Sequence, residues 1–209
     1  MTAEAIRGAI ARFTVSSIVL GVAATVFQSS LLDALLPFFR AWLSLVDGSF
    51  TTLVLEVDRS GVEPLIRRMA TPAVAQVVGD MVVLPDASTR IVSSTAAGLA
   101  LQPLVLGMCV VLAWPARGAL LRTSQCLVAL PLLLLVELLD VPLILVGRAW
   151  YSILREADPG GISALLYWND FMHMGGRFAL TILAGLLAIS VPPVFLPAVR
   201  REGSIVSTA

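Results

Sequence analysis

Near the C-terminal end of the sequence, three ionisable side chains stand at helical spacing. His173 lies in Trp168-Asn169-Asp170-Phe171-Met172-His173-Met174-Gly175-Gly176-Arg177-Phe178, with Asp170 three residues before it and Arg177 four after. On a helix such residues share a face. A carboxylate there would orient the imidazole for general-base work, and the guanidinium would hold a phosphate. His173, Asp170 and Arg177 are therefore the candidate catalytic set of a membrane enzyme acting at an interface on a lipid or polyprenyl-linked substrate. The plainer reading is a histidine that caps a helix start. A second group is Glu137 with Asp140, three residues apart inside an otherwise apolar run. Ionisable groups in a membrane segment are costly and mark a functional position by default. They would form an ion pair with an outer arginine such as Arg148 or Arg177, snorkel to the interface, serve ion passage, or dock a membrane partner. In the docking case Glu137 and Asp140 meet a partner's arginine, and Arg177 meets a partner's carboxylate.

Other chemistries lack their residues. His173 is the only histidine and has no cluster of cysteines or acids beside it in sequence, so no metal or other cofactor is expected. Met172 and Met174 are expected to pack. Cys109 and Cys126 lie in apolar runs and read as small buried hydrophobes. By the helical rise they sit about 20 Å or more from His173 in depth, which argues against a cysteine–histidine dyad. No nucleophile elbow, zinc-protease helix or phosphate-binding loop appears in a fitting context.

The elements that position these residues belong to a membrane. The 209 residues are 58% hydrophobic and 13% charged, about half the charge of an ordinary soluble domain. All 14 basic residues are arginine and the acids also number 14, so there is no global positive field for nucleic acid. The Arg-only, Ala/Leu/Val-rich composition fits a GC-rich bacterial genome. Uncharged runs cover 13–32, 91–116 and 178–199, and a fourth run, 123–147, is interrupted by the two acids. Each is long enough to cross a hydrocarbon core of about 30 Å. The expectation is a mainly α integral membrane protein with four transmembrane helices, the third ending or kinking near Pro142. The first span is longer than a signal-peptide core and reads as an uncleaved anchor. Proton transport usually needs a relay across the whole membrane. Spans one, two and four carry no charge, which weighs against a small transporter or channel subunit.

Arginine density orients the chain. Arg7, Arg12, Arg117, Arg122, Arg200 and Arg201 crowd three short segments on one side, which places both termini in the cytoplasm. The other side holds a periplasmic insertion over about 47–90 and an amphipathic, aromatic segment over about 148–177. The insertion is expected to be a small α+β cap that leans on the membrane helices or on a partner. Its expected parts are a strand over 50–58, a short helix over 64–78, and a hairpin pairing 81–84 with 89–92 around Pro85-Asp86-Ala87-Ser88. Residues 35–42 read as an interfacial helix or an extension of span one. In the later segment, Trp150–Glu156 and Ile162–Met172 read as short interfacial helices flanking a turn at Pro159-Gly160-Gly161. Gly185 with Ala179, Ala184 and Ala188 gives the last span a small-residue face for helix packing, and Gly98 and Gly107 do the same in span two.

This layout resembles a known family. One span, a β-containing periplasmic segment, two close spans, an amphipathic outer stretch and Gly175-Gly176-Arg177-Phe178 entering a final span are similar to exosortase H-associated membrane proteins. The resemblance implies a non-enzymatic inner-membrane accessory or scaffold working with a membrane protease that handles C-terminal sorting signals. It implies no catalytic residues. The partners expected are the lipid bilayer and another integral membrane protein such as an exosortase.

Overall fold

A computed structural model describes residues 3–85, 89–116, 118–158, 160–161 and 163–190. Among the described residues, six helices and five strands follow one another in blocks. Helices α1 (Ala3–Val26) and α2 (Gln28–Val46) come first, followed by strands β1 (Phe50–Asp58), β2 (Leu65–Pro72), β3 (Gln76–Val78), β4 (Met81–Val83) and β5 (Ile91–Ala96). Then come α3 (Ala97–Ala113), α4 (Ala119–Ala157), α5 (Ala164–Phe171), a π-helical turn over Met172–Gly176, and α6 (Arg177–Ser190).

Among the described residues, four helical stretches are long and apolar enough to cross a membrane: Ile6–Val26, Gln28–Val46, Ala119–Ala157 and Ala164–Ser190, the last with a kink at Gly175. They are not the four runs read from hydropathy. The first run, 13–32, divides at Phe27, where φ is −98° and ψ is 11°. Helical hydrogen bonds continue through the bend, from the Phe27 N–H to Ala23 and from the Leu31 N–H to Phe27. The polar Gln28-Ser29-Ser30 follows directly, where serines compete for backbone partners. Residues 35–42 therefore belong to α2, a helical extension of α1. The second run, 91–116, is a strand before it is a helix. Ser93, Ser94 and Thr95 pair with Arg68, Arg67 and Ile66 in β5, which leaves α3 with 17 residues. Absence of charge made this run look uniform, although its first turn's worth of hydroxyls suits a strand. The third run does not stop near Pro142. Pro131 and Pro142 both lie inside α4, which continues to Ala157 over 39 residues, about 58 Å. Trp150–Glu156 is thus the end of α4 and no separate helix. The last run begins as expected, with α6 described as far as Ser190; 191–199 lie outside the described residues.

The sheet corrects two further expectations. β1 forms as read, but 64–78 is not helical. β2 occupies most of it, with Ile66, Arg68, Ala70 and Pro72 on the buried side. The buried arginine hid the alternation. β4 does not pair with 89–92; it pairs with β3 across Gly79-Asp80, Val78 facing Met81. Gly79 at φ +56° closes that turn, a conformation glycine adopts without a Cβ penalty. β5 instead joins β2, giving the antiparallel order β1-β2-β5. The tip residues 86–88 lie outside the described residues, as does Pro159 of the other expected turn. A bulge between Thr52 and Val54 shifts the β1 register. Phe50 and Leu55 both face inward for this reason while Leu53 is exposed, a change of face that one extra residue produces.

α4 is the common support. Toward its N-terminal half, Ala129, Leu133 and Val136 pack with Val111 of α3 and Ala184 and Ala188 of α6. Its middle, Val141, Leu145 and Val146, packs with Leu32, Phe39 and Leu43 of α2 and with Leu55 and Ile66 of the sheet. Its last turns, through Ala149 and Ile153, carry Phe50, Ala70 and Val78, and the Trp150 ring meets Phe50 edge-on at 5.3 Å. The sheet therefore rests partly on the middle of α4 and partly on the turns that hydropathy assigned to an interfacial segment.

Candidate functional site

The polar centre of the helical region lies where α4 meets the break between α5 and α6. Glu137 and Asp140 occupy one face of α4, and neither exposes any surface. The π turn at Met172–Gly176 interrupts the facing helix, with Gly175 at φ 114°. A Cβ on Gly176 would fall 2.4 Å from the Phe171 ring, so Gly175-Gly176 supplies both an unusual dihedral and the room for a tight bend. The bend directs Arg177 at α4. Its Nη2 donates to Asp140 Oδ1 at 3.0 Å, and its Nε stands 2.5 Å from Asp140 Oδ2. The Thr181 hydroxyl donates to the Arg177 carbonyl at 2.7 Å and continues the α6 ladder. Nine residues before Arg177, Trp168 Nε1 donates to the Leu139 carbonyl at 2.8 Å and ties α5 to α4 beside the pair.

Asp140 and Arg177 are therefore joined within the chain. Glu137 is not part of the pair. Its carboxyl lies beside the backbone of Leu104 on α3, and neither oxygen has a donor in bonding geometry. Burial of a carboxyl in that state is expensive, and the neighbouring guanidinium offsets part of the cost. Arg148, the other arginine expected near the acids, turns to the sheet and donates to the Ser94 carbonyl.

The three residues read as a catalytic set are divided by the bend. His173 Nδ1 lies 2.8 Å from the Asn169 carbonyl, one helical turn back. A carbonyl only accepts, so this bond places the proton on Nδ1. His173 and Asp170 line a groove of about 380 Å3 together with Arg148, Tyr151, Leu166 and Asn169. Arg177 is absent from that lining. No hydrogen bond joins His173 to Asp170 among the described residues. The straight-helix expectation placed Asp170, His173 and Arg177 on one face; Gly175 rotates the third away. Cys109 is buried on α3 and Cys126 is half-buried on α4, both as free thiols, and neither lines the histidine groove. Among the described residues no three His, Cys, Asp or Glu side chains stand together as a metal site.

Sequence reading missed two polar locks. Arg68 of β2 is fully buried, donating to Asp47 Oδ2 at 2.5 Å and to Thr52 Oγ1 at 2.9 Å, with its guanidinium 6.0 Å from the Phe50 ring centre. Asp47 Oδ1 also accepts the Ser49 and Phe50 N–H groups, each at 3.2 Å. The signal was an arginine in phase with Ile66 and Ala70. Arg122 donates to the Val111, Leu112 and Trp114 carbonyls at 2.6, 3.0 and 2.7 Å, satisfying acceptors that the C-terminus of α3 leaves open.

No protein-family model matches the chain, and no curated protein or solved structure matches it. The chain is defined by its architecture: a mostly helical protein with four helices long and apolar enough to cross a membrane and a small antiparallel sheet packed on the longest of them.

Proposed function

We propose that this chain is a multi-pass protein of a bacterial inner membrane, both termini cytoplasmic, that acts as a non-enzymatic accessory or scaffold for another integral membrane protein. In this reading α1, α3, α4 and α6 cross the bilayer. α2 lies at the outer interface, because it carries the charged Asp33 and Arg40 on the flank of its buried Leu32, Phe39 and Leu43. The sheet, the end of α4 and α5 then share the periplasmic side. The observation that supports a scaffold most directly is the bareness of α1. Its most apolar stretch, within Ile6–Val26, has no buried residue, and it packs mainly on α3. A long apolar helix held at one edge offers its free face to lipid or to a partner helix. Asp140 and Arg177 are engaged with each other as an ion pair, so the partner's contacts are sought on α1 and the sheet. An exosortase-type protease is the partner class suggested by the resemblance.

Affinity purification from the native membrane in a gentle detergent, followed by mass spectrometry, tests this. A stoichiometric integral membrane protein in the eluate is the expected result, lost when large residues replace Val15, Val19 and Val22 on the exposed face of α1. A chain that purifies alone would overturn it.

The groove holding His173 and Asp170 favours a second reading, a membrane enzyme at the outer interface. Arg177 takes no part in it. A His173→Ala strain that keeps its phenotype would end this reading.

A further inference from the structure

We infer that the cleft between α1 and α3 is a binding site for one phospholipid with a primary-amine headgroup. This rests on the membrane-spanning reading above. The cleft has a volume of about 580 Å3 and runs from the β1–β2 connection at Glu63 down to Ser17 on α1 and Cys109 on α3. Ser17 to Gln28 is eleven residues of sequence, about 16 Å along the helices, which is the depth of one leaflet's hydrocarbon. Its only charged group and both its carboxamides lie toward the upper end. Glu63 and Gln28 stand at the upper end, Leu101 and Gln102 follow one turn into α3, and Val105 and Leu106 lie below, with Thr25 and Ser17 as the further hydroxyls of the α1 wall.

The upper groups fit a headgroup. Glu63 is the only charged residue of the lining, and its carboxylate stands over the start of α3, where a Cβ on Gly98 would come to 3.4 Å of Oε1. Its position there complements the helix N-terminus, yet it accepts no N–H from the first turn. Gln28 and Gln102 are half-buried, and among the described residues neither carboxamide, nor Glu63, forms a hydrogen bond or ion pair with the chain. Glu63 is exposed at the mouth of the cleft, so these groups are within reach of a ligand from outside. A primary ammonium would donate to Glu63, while the carboxamides would donate to the phosphate and ester oxygens below it. A quaternary amine lacks the N–H groups for this, and an anionic headgroup meets the carboxylate unfavourably. A second, wholly apolar groove on the other side of α1, lined by Leu20, Phe27 and Met108 among others, has no such polar end and would hold lipid without choosing its headgroup.

The test is native mass spectrometry of the full chain, delipidated in detergent and titrated with phosphatidylethanolamine, phosphatidylglycerol or phosphatidylcholine of identical chains. One phosphatidylethanolamine per chain is expected to bind about threefold more tightly than the others, the size of a partly exposed ionic contact. Glu63→Gln is expected to bring the three lipids to parity. Equal binding by the unaltered chain, or a preference that survives Glu63→Gln, would overturn the site. As a second measurement, a photoreactive phosphatidylethanolamine should label α1 and α3 within 17–28 and 98–109. Labelling confined to other segments, or a polypeptide crosslinked there in native membranes, would also overturn it. Carbonate extraction separates the two levels of failure. A chain that washes off sinks the membrane reading itself, whereas a chain that stays but shows no lipid preference sinks only the headgroup site.

Discussion

Asp140 and Arg177 are 37 residues apart in sequence and meet at 3.0 and 2.5 Å across the α4–α6 contact, with almost no surface exposed on either. One hydrogen bond and one further close charge contact join the guanidinium to the carboxylate, and a buried contact of this kind constrains how the two helices face each other. The pair therefore sets the rotation of α6 about its axis relative to α4, and it depends on the bend at Gly175 that turns Arg177 inward.

Breaking this pair from one side should be worse than removing it. Arg177→Met leaves Asp140 buried without its counter-charge and is expected to cost about 3–5 kcal/mol, whereas Asp140→Leu with Arg177→Met should recover most of that loss. Unfolding in mixed detergent micelles, run as a double-mutant cycle, measures the coupling. Additive single and double losses would show that the contact carries no weight.

Gly107 lets α3 approach α4. A Cβ there would lie 2.2 and 2.9 Å from the two methyls of Leu133, which is itself fully buried and has nowhere to move. Gly107→Ala is expected to destabilise by about 1–3 kcal/mol through overpacking. Leu133→Ala alone should cost about 2–5 kcal/mol by leaving a cavity. Combined, each relieves part of the other, so the double variant should lose clearly less than the sum in the same unfolding assay.

At the end of β1, outside the helical region, Asp58 accepts from the Ser60 hydroxyl at 2.6 Å and the Ser60 N–H at 2.9 Å. These bonds hold its carboxyl below the usual carboxylate range, with Arg67 adding a smaller effect in the same direction. Since the folded value is the lower one, this contribution to stability is present above about pH 4 and fades as pH falls through the depressed value. Ser60→Ala should move the Asp58 titration upward toward the ordinary range, read from its carboxyl carbon by NMR. An unchanged midpoint would remove Ser60 as the cause.

Composition determined a great deal here. The low charge and long apolar runs announced helices able to cross a membrane, because that property is additive along the chain and needs no neighbours. β1 was legible from its alternation, and Gly107 and Gly185 were legible as packing positions because a missing side chain has few other uses in an apolar helix. Gly185 indeed faces α3, where a Cβ would meet Val110 at 3.0 Å. The acids Glu137 and Asp140 stood out because charge in such a run is rare. Where each partner lay was decided only in three dimensions. Arg148 and Arg177 were equally available to Asp140 by sequence, and the glycine bend chose Arg177 while the sheet took Arg148. β2 was hidden because its buried face includes Arg68, whose charge becomes compatible with a core only once Asp47 closes on it from the end of α2. The uncharged run at 91–116 was divided by β2, which offered Ser93–Thr95 a ladder that no local pattern could announce. Local pattern reports what a residue prefers on average; the counter-charge, the ladder and the bend come from distant parts of the chain, and they exist only after folding has brought those parts together.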